Sequence, residues 1–325
     1  MASELRIVSL IASATEIVAA LGFGEQLVGR SHECDFPADV LPLPACSEPR
    51  IDVNGSSREI DDRVKDALRD AVSVYRVHAN MLEELRPTHI ITQTQCEVCA
   101  VSLKDVEQAV CEMVSSRPQI VSLAPMGLTD VWDDIRRVAQ ALGAPERGEA
   151  LVTSLQQRLA TVASRANGTT SQPTIACIEW IAPLMCAGNW VPELVSIAGG
   201  RDVLGQPGVH SPYISFEQLA AADPEIIAVM PCGFDIPRTR VEMAALANEP
   251  AWQSLRAVQT GKVFLTDGNQ YFNRPGPRLV ESAEILGELL HPNVFAPRHS
   301  GTGWTAWNAR SVPVAASDRD AAQRQ

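Results

Sequence analysis

Short apolar runs alternate along this chain with longer segments in which apolar residues recur every three or four positions. The first pattern is typical of strands buried on both faces, and the second of amphipathic helices. The alternation predicts an α/β protein built on parallel sheets. The apolar runs cover 6–11, 27–30, 89–93, 119–123, 174–180 and 262–267.

Helices are predicted between these strands. Ser13 and Glu16 have the spacing of a capping box, so the first helix is expected to begin there, and Ser215 and Gln218 repeat the signal. The helix over 146–166 is the longest and would span about 30 Å. Further helices are expected over 58–72, 80–86, 129–142 and 279–290.

The strand–helix pattern restarts after NGTTSQP (167–173), and LAAADPEIIAVMPC (219–232) parallels LEELRPTHIITQTQC (82–96). We therefore predict two α/β lobes joined by one long helix. The expected boundaries are an N-terminal lobe over 1–128, a helical connection over 129–168 and a C-terminal lobe over 173–295.

The last segment, 296–325, has few aliphatic residues and is predicted to be a disordered tail. Trp304 and Trp307 are unusual in such a segment. Three interpretations stay open for them: docking on the body of the protein, docking on a partner, or no contact at all.

Charge and hydropathy exclude several classes of partner. The net charge of −12 over 325 residues argues against nucleic acid and against anionic membrane surfaces. No apolar run approaches the roughly 20 residues of a membrane span, so membrane insertion is not expected.

The first residues lack a basic segment and a long apolar run, so we expect no signal peptide or lipid anchor and a cytoplasmic location. In that setting the eight cysteines are predicted to be free thiols or metal ligands.

Candidate binding residues follow the predicted strands, because ligands of parallel α/β sheets bind at the carboxyl ends of the strands. They combine aromatic, polar and sulfur groups, which predicts a cleft for a large, partly planar ligand between the lobes. In the first half they are Ser13, Thr15, His32, Glu33, Cys34, Gln93, Gln95, Cys96, Glu97 and Cys99, and in the second Trp180, Asn189, Trp190, Tyr271, Phe272, Asn273 and Arg274.

Three blocks of sequence carry a family resemblance. RIVSLIASATEIVAALGFGEQLVGRSHECDFP (6–37), PTHIITQTQCEVCAVS (87–102) and YFNRPGPRLVESAEIL (271–286) resemble the cobalamin-type branch of the helical-backbone periplasmic binding proteins. The resemblance covers roughly residues 5–292. It implies two α/β lobes on one long helix, with the ligand held between them, and a role as the ligand-capturing component of an ABC importer.

The sulfur and imidazole groups allow several interpretations. His32, Cys34, Cys96 and Cys99 offer four ligands of the types that suit zinc or iron. They could instead contact the cobalt of a corrinoid, pack as inert core residues, or, for Cys96 and Cys99, form a redox disulfide.

Each aromatic and basic candidate also has two interpretations. Four rings, those of Trp180, Trp190, Tyr271 and Phe272, could stack on a corrin or porphyrin-like macrocycle or pack in the core. Arg274 could contact a carboxylate, amide or phosphate of the ligand, or form a structural salt bridge.

Taken together, these patterns and the resemblance predict a binding protein, not an enzyme. It is expected to capture cobalamin or a related corrinoid in the cleft between the lobes, for an ABC importer permease or as a cytoplasmic carrier. Two alternatives stay open. One is a cytoplasmic metalloprotein or thiol protein that uses His32, Cys34, Cys96 and Cys99, and the other is a heme or siderophore binder.

Overall fold

Two sheets, one in each half of the chain, organise the computed structural model, which describes residues 4–69, 73–94, 106–107 and 115–307. The first sheet has four parallel strands in the order β2-β1-β5-β6. They are β1 (Ile7–Ser9), β2 (Leu27–Arg30), β5 (His89–Gln93) and β6 (Gln119–Leu123). Beside this sheet, β3 (Ser47–Pro49) pairs antiparallel with β4 (Tyr75–Val77).

The second sheet has the path β12-β11-β10-β7-β8, with β9 added beside β7. Four of its strands run parallel, and β8 and β12 run antiparallel to their neighbours. The strands are β7 (Thr174–Trp180), β8 (Met185–Cys186), β9 (Arg201–Asp202), β10 (Ile226–Val229), β11 (Val263–Thr266) and β12 (Trp304–Ala306).

Helices lie between the strands of both halves, as expected for an α/β fold. The first half contains α1 (Ala12–Ala20), α2 (Ser57–Arg69) and α3 (Ala79–Leu85), and α4 (Leu128–Ala141) and α5 (Pro145–Asn167) connect the halves. The second half contains α6 (Val191–Ile197), α7 (Phe216–Ala222), α8 (Ile236–Ala247), α9 (Pro250–Gln253), α10 (Arg256–Gln259) and α11 (Leu279–Leu290).

The predicted connecting helix is present as α5. It has 23 residues, so it is about 35 Å long. Proline at its first position suits a helix start, where no backbone donor is needed. Its apolar stripe of Val152, Leu155, Leu159 and Val162 is buried, so the helix is anchored along its length by packing.

One apolar core runs from the first lobe through α5 into the second. It includes Ile7 and Ile17 of the first lobe, Val152 of α5, and Ile175 and Leu286 of the second lobe. Since close-packed interiors resist deformation, this shared core restricts how far the lobes can move relative to each other.

The capping-box prediction at Ser13 is wrong, whereas the one at Ser215 is confirmed. Helix α1 begins at Ala12, with Ile11 at the cap position, and the Ser13 hydroxyl has no hydrogen-bond partner among the described residues. In α7, Ser215 Oγ accepts from the Gln218 amide at 3.2 Å and Gln218 Oε1 accepts from the Ser215 amide at 2.8 Å.

The prediction of a disordered tail is wrong for residues 296–307. Strand β12 pairs with β11, and Trp307 is 3% exposed, with its ring centroid 6.1 Å from that of Trp252. Trp304 packs edge-on against Phe264 and donates from Nε1 to Glu288 at 2.6 Å. Two tryptophans therefore anchor a segment that has few aliphatic residues. Residues 308–325 lie outside the described part.

None of the helices described here is both long and apolar enough to cross a membrane.

Candidate functional site

The loops that follow the strands of the two sheets face each other where the lobes meet. Asp35 lies beyond β2, and Asn269 and Gln270 lie beyond β11. Asp35 Oδ2 accepts hydrogen bonds from Asn269 Nδ2 at 2.9 Å and from Gln270 Nε2 at 2.8 Å. We call this region the lobe junction. It is the candidate functional site, because parallel α/β sheets bind ligands at these strand ends.

A group of charges with a buried centre crosses the junction. We call it the junction cluster, and it consists of Glu16, Asp35, Arg274 and Arg278. Glu16, on α1, is 3% exposed, and Arg274 is 7% exposed. Arg278 binds both Glu16 oxygens, with Nε at 2.9 Å from Oε2 and Nη2 at 2.5 Å from Oε1. Arg274 Nη1 lies 2.6 Å from Asp35 Oδ1 and 3.3 Å from Glu16 Oε1. Such charge-assisted contacts are among the strongest hydrogen bonds in proteins.

The charges of the cluster stabilise one another. Burial alone would raise the pKa of Asp35, but the hydrogen bonds and charge of Arg274 outweigh it and lower that pKa below its usual value. Burial works against the charged form of Arg274, yet Asp35 and Glu16 raise its pKa. Both partners therefore stay ionised at neutral pH.

Neutral side chains accept further hydrogen bonds from the two guanidinium groups. Asn269 Oδ1 accepts from Arg274 Nη2 at 3.0 Å, and Gln270 Oε1 accepts from Arg278 Nη1 at 2.8 Å. Of the two interpretations of Arg274, the structural salt bridge is present in this structure. Its contact with a carboxylate, amide or phosphate of a ligand stays a prediction. The Nη1 and Nη2 groups of Arg274 already have protein acceptors.

A second set of contacts joins the lobes through α2 and the loop before it, and we call it the rim contact. It consists of hydrogen bonds from backbone groups and a few side chains. Among the described residues, it contains no ion pair as buried as the one between Glu16 and Arg278. Tyr213, one of its members, is 52% exposed. The rim contact consists of hydrogen bonds from Trp180 Nε1 to Ser57 O (3.1 Å), from the Ser57 amide to Glu242 (2.9 Å), from the Tyr213 hydroxyl to Asp61 (2.9 Å) and from Arg238 to Gly55 O.

A small recess of about 260 Å³ lies beside the rim contact. Arg58 of α2 forms one wall, and the turn after β7 with helices α7 and α8 forms the rest. Its lining is mostly apolar, and it consists of Arg58, Ile181, Ala182, Pro183, Leu184, Phe216, Ala245, Leu246 and Glu249.

His32, Glu33 and Tyr75 lie together on the first-lobe side of the junction. The Tyr75 hydroxyl donates to Glu33 Oε1 at 3.1 Å, and the His32 and Tyr75 rings are 5.2 Å apart. Burial, helped by Arg30, lowers the pKa of His32. Burial raises the pKa of Glu33, against the Tyr75 hydrogen bond. The histidine is therefore neutral at pH 7.

Cys34, Thr15 and Ser13 lie below the surface of the junction and not on it. Cys34 is 1% exposed, and its Sγ accepts from the Thr15 hydroxyl at 3.0 Å. Burial raises the pKa of this thiol to about 11. Thr15 and Ser13 are at most 1% exposed. All three side chains are thus buried in this structure, and their contact with a ligand stays a prediction.

The predicted zinc or iron site has no support in the described residues. Among them, no group of three or more His, Cys, Asp or Glu side chains is placed to hold a metal ion. Cys34 is a core thiol, away from solvent. Gln95, Cys96, Glu97 and Cys99 lie outside the described residues, and Gln93 at the end of β5 is buried at 3% exposure.

Two of the predicted stacking rings belong to the core. Phe272 is fully buried, and Trp190 is 5% exposed and donates from Nε1 to Phe272 O at 2.6 Å. The φ angle of Phe272 is +60°, a left-handed turn, and its amide donates to Ser282 Oγ at 3.0 Å. This turn directs the ring inward. In this structure both rings pack in the core, and their stacking on a ligand stays a prediction.

The other second-lobe candidates divide between the junction and its supporting loops. Trp180 is half-buried at the rim contact, 5.1 Å from the Phe234 ring. Tyr271 is half-buried, with the Arg278 guanidinium 5.5 Å from its ring. Asn273 donates to the backbone oxygens of Met230 and Gly268 and fixes the loop after β11. Asn189 is buried, at 8% exposure.

Sequence reasoning missed several residues that join the lobes: Glu16, Asp35, Asn269, Gln270 and Arg278. A signal was available, since Arg274 and Arg278 flank the rigid PGP segment and Asp35 and Asn269 follow strands. The pairing itself was not predictable, because the partners lie more than 200 positions apart along the chain.

Comparisons with known proteins agree with this architecture. A family model described as periplasmic binding protein matches residues 7–270. A vitamin B12-binding protein of Photorhabdus laumondii is 24% identical over 293 residues, which cover 90% of each chain. An uncharacterized ABC transporter substrate-binding lipoprotein of Bacillus subtilis is 21% identical, over 89% of this chain and 81% of the relative.

Solved structures share the fold. The periplasmic heme-binding protein of Roseiflexus sp. RS-1 in its apo form has a TM-score of 0.68 and 24% identity, with 90% of this chain and 100% of that chain covered. The periplasmic vitamin B12-binding protein of Vibrio cholerae has a TM-score of 0.62 and 21% identity, with 88% and 96% covered. At these identities the likeness establishes the two-lobed fold and leaves the ligand open.

Proposed function

This chain belongs to the periplasmic binding protein family, and from that premise we propose that it captures cobalamin or a related corrinoid at the lobe junction. The family consists of substrate-binding proteins and not of enzymes. The proposed action is therefore capture and release, without bond-breaking. His32, Glu33, Trp180 and Tyr271 are the side chains proposed to face the ligand.

The engaged guanidinium groups of the junction cluster are the observation that favours a corrinoid over the alternatives. Arg274 and Arg278 already bind Glu16, Asp35 and neighbouring amides. Corrinoids carry mostly neutral amides around the ring, whereas heme carries two carboxylates and many iron chelates are anionic. A buried carboxylate without a cationic partner is costly, so a junction whose arginines are engaged favours the ligand with a neutral periphery.

The comparisons support the same choice without deciding it. The relatives from Photorhabdus laumondii and Vibrio cholerae are named for vitamin B12, whereas similar folds come from heme-binding proteins. The choice of ligand therefore rests on the contacts of the lobe junction.

Capture requires the lobes to separate at the rim contact. The recess there, about 260 Å³, is smaller than the roughly 300–1,000 Å³ of ordinary ligand pockets and cannot hold a macrocycle. The rim contact is exposed and made of few hydrogen bonds, whereas the junction cluster is buried and ionic. We therefore place the opening at the rim, with the cluster and α5 as the pivot.

Delivery to the permease of an ABC importer is the second part of the proposal. It rests on the family and on the relative named as an ABC transporter substrate-binding lipoprotein. Relatives named as a lipoprotein or as periplasmic do not support the cytoplasmic location expected from the sequence. Cell fractionation of the producing organism would decide between an importer component and a cytoplasmic carrier.

Calorimetric titration of the purified protein with cyanocobalamin, and separately with hemin, tests the proposed ligand. We expect one-to-one binding of cyanocobalamin, at least about tenfold tighter than hemin, which corresponds to about 1.4 kcal/mol. Tighter binding of hemin would reverse the choice of ligand. Binding of neither would contradict capture of this class of macrocycle.

A further inference from the structure

We propose that His32 binds the metal ion at the centre of the captured macrocycle through its Nε2 atom. The inference rests on the proposed function and adds to it a direct bond from protein to ligand. It follows from how the two ring nitrogens of His32 are used in the structure.

One ring nitrogen of His32 is fixed by the protein. Nδ1 lies 3.0 Å from Ser47 Oγ, and Ser47 Oγ in turn lies 3.2 Å from Ser31 Oγ. The Tyr75 ring packs against the imidazole at 5.2 Å. In metal sites, a hydrogen bond of this kind to the second nitrogen sets the orientation of the ring and its tautomer.

The other ring nitrogen is available. Nε2 makes no hydrogen bond within the part of the chain that the structure describes, and the nearest carboxylate oxygen, Glu33 Oε1, is 3.8 Å away. The side chain keeps 24% of its surface exposed. An imidazole held at Nδ1 and open at Nε2 has the arrangement of a metal ligand.

The other described side chains near His32 are less suited to this role. Cys34 is 1% exposed, with its sulfur already bound to the Thr15 hydroxyl. Tyr75 is 7% exposed and donates to Glu33. His78 has its Nε2 atom 3.7 Å from Glu48 Oε2, so a carboxylate faces this nitrogen.

The chemistry is a ligand exchange. In hydroxocobalamin, protonated to its aqua form at neutral pH, one axial position of Co(III) holds an exchangeable water. Nε2 donates its lone pair to cobalt, the Co–O bond breaks and water leaves, so no electron is transferred. In cyanocobalamin the same position holds cyanide, which does not exchange readily.

Titration of the protein with hydroxocobalamin and with cyanocobalamin, followed by visible absorption and calorimetry, tests the inference. We expect the wild-type protein to shift the corrin bands of hydroxocobalamin and to leave those of cyanocobalamin in place. His32→Ala should bind both forms without a shift. Ser47→Ala should weaken hydroxocobalamin binding by about 10- to 100-fold, as loss of an outer partner of a metal ligand does. His78→Ala, a neighbouring histidine, is the matched control and should behave as wild type.

The outcomes separate this inference from the proposed function. Binding of both forms by the wild-type protein without a shift would overturn the His32 bond and leave corrinoid capture in place. A shift that persists in His32→Ala would also overturn it. Binding of neither form by the wild-type protein would overturn the proposed function and this inference together.

Discussion

Arg278 binds both carboxylate oxygens of Glu16, at 2.9 and 2.5 Å, although the two residues lie 262 positions apart in the chain. Glu16 belongs to the first helix, and Arg278 immediately precedes the last one. This pair therefore ties the two lobes together at a point where water has little access.

Removing the charge of Glu16 should strongly destabilise the protein. Glu16→Gln leaves Arg278 and Arg274 buried with too few carboxylates, which costs roughly 3–5 kcal/mol for pairs of this kind. Urea denaturation measures the loss. Arg136→Ala is the control, because its partners Asp133 and Glu149 are exposed and such pairs contribute about 0–1 kcal/mol. A Glu16→Gln variant as stable as Arg136→Ala would show that the cluster does not hold the lobes.

Weakening the rim contact should speed capture. Tyr213→Phe removes the hydrogen bond to Asp61, which contributes about 0.5–1.5 kcal/mol to the closed state. The population of the open state should therefore increase. In stopped-flow experiments, cyanocobalamin should associate with this variant up to about tenfold faster than with the wild-type protein. Ser215→Ala is the matched control, because it removes a helix cap within the second lobe and costs about 1 kcal/mol. Equal association rates for the two variants would place the opening elsewhere.

The described cysteines should differ in reactivity. Cys34, Cys46, Cys177 and Cys186 are buried, whereas Cys232 is half-buried. Burial raises the pKa of Cys34 to about 11 and that of Cys46 to about 12, so little thiolate forms at pH 8. Under native conditions, iodoacetamide labelling followed by peptide mass spectrometry should find Cys232 modified well before the other four. Labelling of Cys34 at the same rate as Cys232 would show that the thiol reaches the junction surface.

Trp307 should be needed for the stability of the second lobe. The ring is 3% exposed and meets Trp252, so Trp307→Ala should cost roughly 3–5 kcal/mol, as for other buried aromatic truncations. Thermal and chemical denaturation measure it. Val241→Ala, at a side chain 70% exposed, should change stability by less than about 0.5 kcal/mol. If both variants melt alike, residues 296–307 do not contribute to the fold in solution.

The His299–Glu284 pair should contribute stability only within a pH window. The Glu284 hydrogen bond raises the pKa of His299 above 6.5, so its contribution is lost as pH rises through the folded-state value. His299, with Arg158, lowers the pKa of Glu284 below 4.5, so its contribution is lost as pH falls through that lower value. The difference in unfolding free energy between the wild-type protein and His299→Gln should be largest between about pH 4.5 and 6.5. Because the pair is partly exposed, this difference should stay within about 1 kcal/mol. A difference that does not vary from pH 4 to 9 would contradict the pairing.

Elements with a strong local pattern were predicted with the bounds that the structure has. Strands β5, β6 and β7 and helix α11 begin and end where the apolar pattern places them, because burial on both faces or along one stripe leaves a readable period. Strands β4 and β12 have three residues each, which is too short for a period. These two strands form because they pair with segments that lie far away in the sequence.

The candidate site was predicted less completely, for a physical reason. A residue's position directly after a strand shows that it lies in a loop, but it does not show in which direction its side chain points. The inward turn at Phe272 could therefore not be predicted from the sequence. Glu16 fitted a local cap pattern, yet two arginines 258 and 262 positions away bind its carboxylate. Long-range electrostatics overrode the local signal.

The distance between Glu16 and Arg278 has a consequence during synthesis. A ribosome that adds about 5–20 residues per second produces Arg278 roughly 15–50 seconds after Glu16. Once Leu123 has been made, the nascent first lobe contains all four strands of its sheet but neither Arg274 nor Arg278. Full docking of α1 would then bury the Glu16 carboxylate without its two cationic partners. The first lobe is thus completed only when the last quarter of the chain has been translated. In hydrogen exchange, a chain that ends at Thr260 should protect α1 less well than the full chain does, and equal protection would refute this order of events.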